Sequence, residues 1–289
     1  MRALSIAVAL ALLLGCAPAS RSPTLPPPAM DDDPRAAAVV RALEEDLRAL
    51  ALAPPERRRA AQAAFGERLR RDLEACRGTR YENKPLYWLV DWLLAFGDEA
   101  ATQEALRHLD RLETLPSPAF RNAGRNLRVT ALLRLGRAAE AQALAERLDA
   151  SVPEFGAGAR VAFHALAGQP APPLPGRVLA SPPATREAPT LLAFVAALDG
   201  DSRLWLDELF AAAPASWQRV IVLVGSDPLS ALPAGSAYRA ELRWAALAEP
   251  ELAAWRVPAL PASIVLDGER RTVLAVDPPR WRLQQTVRP

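Results

Sequence analysis

Two cysteines and two histidines are the side chains in this chain best suited to thiol or metal chemistry, and their spacing excludes most of it. Cys16 and Cys76 stand far apart and no Cys-x-x-Cys occurs, so there is no dithiol to cycle between reduced and oxidised states. His108 falls in a charged amphipathic stretch and His164 in an apolar one. Neither has a Cys or carboxylate at ligand spacing, so no metal site is expected. Ser226-Asp227 follows the strongest apolar run, at the edge where α/β folds bind ligands. No Gly-rich phosphate loop accompanies it, and a turn is the expectation. Cys76 reads as a structural thiol within a helical stretch, and the seven Trp as core. The residues therefore offer no recognisable catalytic constellation and call for no cofactor.

The first sixteen residues carry a different chemistry. Met1-Arg2 is charged, Ala3 to Leu12 is apolar, and Leu13-Leu14-Gly15-Cys16 follows, the layout of a secretory signal peptide. The cysteine at its end resembles the lipobox of bacterial lipoproteins. That resemblance implies cleavage before Cys16 and acylation of its side chain and amino group with fatty acids such as palmitate. Membrane lipid is then a partner of the mature protein through Cys16. Each buried CH₂ of such a chain contributes roughly 0.8 kcal/mol, and two or more chains give stable anchoring. In Gram-negative sorting an Asp after the lipidated Cys favours inner-membrane retention. Ala17 stands there instead, so the expected location is the cell envelope, with the periplasmic face of the outer membrane favoured over the inner membrane. The apolar run is too short for a spanning helix, which needs about 20 residues, and no later stretch qualifies. Once Cys16 is acylated, Cys76 is the only thiol left and no intrachain disulfide can form.

A net charge of +2 excludes strong electrostatic binding to nucleic acid, which calls for a concentrated basic face. The cations are almost all Arg, with Lys84 the sole Lys, a bias that goes with the heavy Ala and Pro usage of a GC-rich genome. The 289 residues allow two domains of ordinary size. Residues 1–15 read as the signal peptide, 16–30 as a Pro-rich tether, 31–167 as a helical domain and 168–289 as a mixed α/β domain, an α+β architecture overall.

In the helical half, apolar residues recur at i, i+3, i+4 and i+7, interrupted by Pro and Gly. Asp31-Asp32-Asp33-Pro34 supplies an acidic cap and a Pro for the first turn. Val39, Val40, Leu43, Leu47 and Leu50 then line one face, Phe65, Leu69 and Leu73 a second helix, and Leu86 to Leu94 a third that carries Trp88 and Trp92. Leu93-Leu94-Ala95-Phe96-Gly97 is echoed by Leu132-Leu133-Arg134-Leu135-Gly136, each followed by an amphipathic stretch ending near Pro116 or Pro153. This pattern resembles tetratricopeptide-type antiparallel helical hairpins, although the spacing of the two glycines exceeds that family's period of about 34. The resemblance implies a groove offered to a protein partner; a domain that only packs against its neighbour is the alternative.

After Gly168-Gln169-Pro170-Ala171-Pro172 the period changes. Thr190–Val195 and Arg219–Gly225 are continuous apolar runs of the kind that form buried parallel strands. Leu204–Ala213 reads as a helix, and Tyr238–Trp255 is helical in composition. Ser263–Gly268 and Thr272–Val276 read as a hairpin.

This order resembles the thioredoxin fold, in particular the membrane-anchored TlpA-like thiol-disulfide oxidoreductases. Gly168-Gln169-Pro170-Ala171-Pro172 is similar to that group's opening Gly-x-x-Ala-Pro. Trp255-Arg256-Val257 followed by Pro261 is similar to its aromatic-x-Val-x-x-x-Pro, and Ile264-Val265-Leu266-Asp267-Gly268 to its strand and turn. The resemblance, which covers roughly residues 168–280, implies a cis bond between Leu260 and Pro261. It also places Asp199 and Ser202 at the two cysteine positions of the family's redox centre. Neither can exchange disulfides, so that centre is absent. A carboxylate at Asp199 would instead cap the following helix.

The chain thus reads as a non-enzymatic, membrane-anchored envelope lipoprotein. It is expected to bind a protein or peptide partner through a loop comprising Leu260, Pro261, Asp199 and Ser202. An accessory factor in envelope thiol-disulfide or cytochrome maturation, docking partners without its own dithiol, is the alternative.

Overall fold

A computed structural model describes residues 32–173, 188–196, 200–224, 243–247, 253–268 and 272–283. Cys16, Asp199 and Ser226-Asp227 lie outside the described residues. The architecture is α+β, with helices in the N-terminal part and a mixed sheet in the C-terminal part. By contacts the chain divides into two compact units after Leu135. The change of element type that the sequence marks at Gly168 comes later, so the last helices before the sheet belong to the same unit as the sheet.

The first unit is built from α1 (Pro34–Leu52), α2 (Pro55–Cys76), α3 (Asn83–Phe96), α4 (Glu99–Thr114) and α5 (Pro118–Arg134). Asp33 caps α1, its carboxylate accepting from Arg35 N–H at 2.8 Å with Pro34 in the first turn, and Asp98 caps α4 through Ala101 N–H at 2.9 Å. Short connections join α1 to α2 and α3 to α4, and each helix packs on the next. Leu43, Leu69, Leu86, Leu89, Leu93, Leu109 and Leu112 are fully buried between them. The Trp92 indole N–H donates to the Gln62 carbonyl at 2.8 Å and its ring lies against Gly66, where no Cβ stands in the way.

The two echoing glycines work differently. Gly136 ends α5 at φ 75°, the left-handed cap that side chains resist. Gly97 ends α3 in extended conformation; a Cβ there would collide with Ala101 Cβ and the Leu93 carbonyl oxygen.

One ion pair ties the turn after α2 to the far end of α4. Glu82 is buried, and its carboxylate accepts from Arg111 Nε at 2.8 Å, Arg111 Nη2 at 3.0 Å and Gly78 N–H at 2.7 Å. Burial alone would push the Glu82 carboxyl up. The Arg111 and Gly78 hydrogen bonds, with the charges of Arg111 and Arg77, outweigh it and hold the group below its usual range.

The second unit begins with α6 (Ala138–Ser151), a single 3₁₀ turn (Pro153–Phe155) and α7 (Ala157–His164). The Asp149 carboxylate accepts from Ala157 N–H at 3.0 Å and Gly158 N–H at 2.7 Å, so α6 caps α7. The sheet follows: β1 (Thr190–Val195), α8 (Gly200–Ala212), β2 (Gln218–Val224), β3 (Arg243–Leu247), β4 (Ala262–Leu266), β5 (Val273–Val276) and the short α9 (Arg280–Leu283). Its order is β3-β2-β1-β4-β5. β1 pairs parallel with β2 and β2 parallel with β3, whereas β4 runs antiparallel to both β1 and β5.

Alternation along β1 assigns the two faces. Leu191, Ala193 and Val195 face a cluster with Leu206, Leu209 and Phe210 of α8, Trp217, and Leu283 of α9. Leu192 and Phe194 face Phe163 of α7 and Leu166 just after it, together with Trp255. On the first face the buried Glu208 carboxylate of α8 accepts a hydrogen bond from Arg280, fastening α9 across the helix.

The helical expectation for Tyr238–Trp255 fails at β3. Arg243-Trp244-Ala245-Ala246-Leu247 is Ala-rich and reads as helix by propensity, yet Val220 to Val224 pair with it residue for residue. A neighbouring strand with unpaired backbone groups overrides so weak a local preference.

Replacing Arg111 by Ala leaves the Glu82 charge buried with only the Gly78 N–H. We expect a loss of about 2–3 kcal/mol, measurable by urea unfolding at neutral pH. Because the folded Glu82 pKa lies below its unfolded value, the stabilisation is present above the unfolded carboxylate pKa. It disappears as the pH falls through the lower folded value. The difference between wild type and Arg111→Ala should therefore shrink in acid, and a pH-independent difference would contradict the assignment.

Candidate functional site

The segment entering β4 brings Leu260 and Pro261 to one end of the sheet. Trp255 is fully buried, its ring 5.7 Å from that of Phe194 on β1. Arg256 then takes φ 51°, turning the chain out of the core. Val257 and Leu260 pack, partly buried, against the cluster that holds Trp255. The Leu260–Pro261 bond is cis, as the resemblance noted in the sequence implies.

Register locates this loop. Ala262 lies opposite Phe194, so Pro261, one residue earlier, comes at the C-terminal end of β1. α8 starts at Gly200, just after β1 ends at Val195, and Ser202 lies in its first turn. The topology thus brings Ser202 and the Leu260-Pro261 step to the same end of β1. Asp199, the remaining member of the expected loop, is outside the described residues.

The loop is held from below by a reciprocal contact. Asp277 N–H donates to the Ser263 carbonyl at 2.7 Å, and Ser263 N–H donates back to Asp277 Oδ1 at 2.6 Å. Asp277 has φ 39°. These two positions, Arg256 and Asp277, were not singled out from sequence. Asp277 had a signal: Asp tolerates left-handed backbone, and Pro278-Pro279 follow it. Arg256 had none.

From Val257 to Pro261 the side chains are Val, Pro, Ala, Leu and Pro. Such a loop offers apolar contact and backbone hydrogen bonding rather than acid–base chemistry. On the opposite edge of the hairpin, Gly168 N–H donates to the Val273 carbonyl at 2.7 Å and Val273 N–H to the Gln169 carbonyl at 2.9 Å. The Gly168-Gln169-Pro170 segment therefore lies along part of β5, with Pro170 bridged to Thr272.

Cys76 belongs to the first unit. Its side chain is buried with Ala36 and Val40, and Sγ lies 3.9 Å from the Ala36 carbonyl oxygen. Burial, reinforced by the negative charges of Asp72, Glu82 and Asp33, pushes the thiol up to about 11. It is protonated at neutral pH and a poor nucleophile. His108 lies on α4, with Nε2 3.5 Å from a Glu104 carboxylate oxygen, and His164 ends α7. Among the described residues no group of three or more His, Cys, Asp or Glu is placed to hold a metal ion. No helix among them is long and apolar enough to cross a membrane.

Comparison with protein-family models, curated proteins and solved structures yields no match.

Two measurements test the reading of the thiols. Cys76 should resist an aromatic disulfide reagent in the native protein at neutral pH and react fully in denaturant; rapid native labelling would refute its burial. Insulin reduction by the chain lacking residues 1–16 should proceed at the uncatalysed rate, and turnover that vanishes in Cys76→Ser would overturn the structural role given to that residue.

Proposed function

We propose that this chain is a lipid-anchored protein of the bacterial cell envelope whose thioredoxin-like domain binds an extended segment of a protein partner beside Pro261, without redox chemistry of its own. The sheet carries this reading. A buried strand sits between a parallel β2 and an antiparallel β4; a helix follows it, and a Pro-containing loop enters β4 at the same end. That is the arrangement the resemblance to TlpA-like proteins implies. In thioredoxin-like proteins the backbone before the loop proline pairs with bound peptide as an added strand. With Asp199 and Ser202 at the cysteine positions, binding remains and disulfide exchange does not. The helical hairpins of the first unit, read as tetratricopeptide-like, add a second surface of the kind that takes protein partners. Cys16 supplies the membrane attachment, on the periplasmic face of the outer membrane.

Anchoring and binding are tested separately. Cys16→Ser should move the protein from the detergent phase to the aqueous phase, or leave uncleaved precursor; an unchanged membrane fraction would end the lipoprotein reading. A photo-crosslinking residue at Ala259 in living cells should trap a discrete partner, and the same residue at exposed Gln103 should not. Equal capture at both positions, or none at Ala259, would refute the loop as the binding site.

A further inference from the structure

The turn between α1 and α2 combines an exposed apolar side chain with concentrated positive charge. Leu52 is 85% exposed, whereas Leu274, the other exposed large apolar residue among those described, is 36% exposed. A single exposed Leu on a soluble surface is ordinary. Arginines flank this one in the sequence, near the end of α1 and in the first turn of α2. Arg48, one turn earlier on α1, has 57% of its side chain exposed and only a 4.0 Å approach to Glu44. Arg57 is exposed on the first turn of α2. Arg58 donates from Nε at 3.2 Å and Nη2 at 2.8 Å to the Ala53 carbonyl, which pins its guanidinium beside the turn. Between Arg48 and Arg59 the chain has four arginines and one acidic residue, Glu56.

We infer that the α1–α2 turn is a membrane-contact surface, with Leu52 entering the interface and Arg48, Arg57 and Arg58 meeting anionic phospholipid headgroups. An apolar tip flanked by arginines matches an anionic bilayer in both polarity and charge. The inference rests on the proposal that the chain is anchored through Cys16. Eighteen residue steps separate Cys16 from Pro34, a reach of up to about 60 Å when fully extended. α1 is about 28 Å long at 1.5 Å per residue, so an anchor at Cys16 leaves enough chain for the far end of α1 to meet the bilayer. Tethering also holds the turn at high effective concentration beside the lipid, so a contact too weak to recruit the free protein is populated once it is anchored.

The test uses residues 17–289 with an N-terminal hexahistidine tag, held on nickel-chelating vesicles in place of the native lipid. An environment-sensitive fluorophore is attached at Leu52→Cys or, as control, at Gln103→Cys; Cys76 is too buried to label. On phosphatidylglycerol vesicles the probe at residue 52 should shift to the blue and be quenched by spin-labelled lipid, and the probe at residue 103 should do neither. The residue 52 signal should fall to the control level on phosphatidylcholine vesicles, in 1 M salt, and in Arg48→Glu/Arg57→Glu, whose substitutions lie on exposed side chains. A residue 52 probe that stays in water on anionic vesicles overturns the inference, as does equal quenching at residues 52 and 103 or equal quenching on neutral and anionic lipid. Because the tag replaces the acyl chain, these outcomes do not depend on lipidation in the cell. Absence of lipid on Cys16, read from the mass of the mature protein, would instead overturn the anchoring proposal alone.

Discussion

The second unit depends on β1 being used on all four sides. Its two edges are consumed by β2 and β4, and its two faces by α8 and by the Phe163, Leu166 and Trp255 side chains. A strand in that position leaves no backbone group for solvent and tolerates no polar side chain, which is why Leu191 to Val195 are uniformly apolar and fully buried. Every other placement follows from it. Antiparallel pairing with β4 fixes where the Leu260-Pro261 step falls, and the chain leaving β1 fixes where α8 begins. The site is therefore set by pairing register rather than by side-chain contacts within the loop, and register is resistant to slippage because a one-residue shift would turn Leu192 and Phe194 toward the wrong layer.

The first unit is governed by a different constraint. Helices supply their own backbone hydrogen bonds, so what needs specifying is which helix lies against which. Leucine-rich faces do this loosely, since many sliding arrangements bury similar area. Directional contacts narrow the choice: the Arg111–Glu82 pair joins the turn between α2 and α3 to the last turn of α4, and the Trp92 indole reaches the Gln62 carbonyl of α2. Cys76 fills a small apolar space in the same layer as Ala36 and Val40, and the negative charges around it make that space inhospitable to a thiolate.

What could be read from the sequence divides along the range of the interactions. β1, β2 and the β4–β5 hairpin were legible because their apolar runs have few alternatives, and the helices of residues 34–164 because their period is sustained and the first of them carries a local cap at Asp33. β3 was illegible because its strand state comes from β2, not from Arg243-Trp244-Ala245-Ala246-Leu247 itself. The Glu82–Arg111 pair and the reciprocal Ser263–Asp277 contact join residues that nothing local connects. Of the candidate site, the Leu260-Pro261 step was found through motif order. The turn at Arg256 that launches the loop was not, because an Arg at positive φ has no compositional mark.

Gly97 and Gly136 look interchangeable in the sequence, each closing a leucine-rich helix before a similar amphipathic one. Their environments are not alike. At Gly136 the demand is on backbone handedness and the surrounding space is open, so an Asn, which accepts left-handed geometry, could take its place over generations at little cost. At Gly97 the demand is on volume alone, and any larger residue must push against the Leu93 carbonyl. One glycine is thus held by its backbone conformation and the other by the space around it. The same letter at the end of two leucine-rich helices therefore answers two different demands, and only the structure tells them apart.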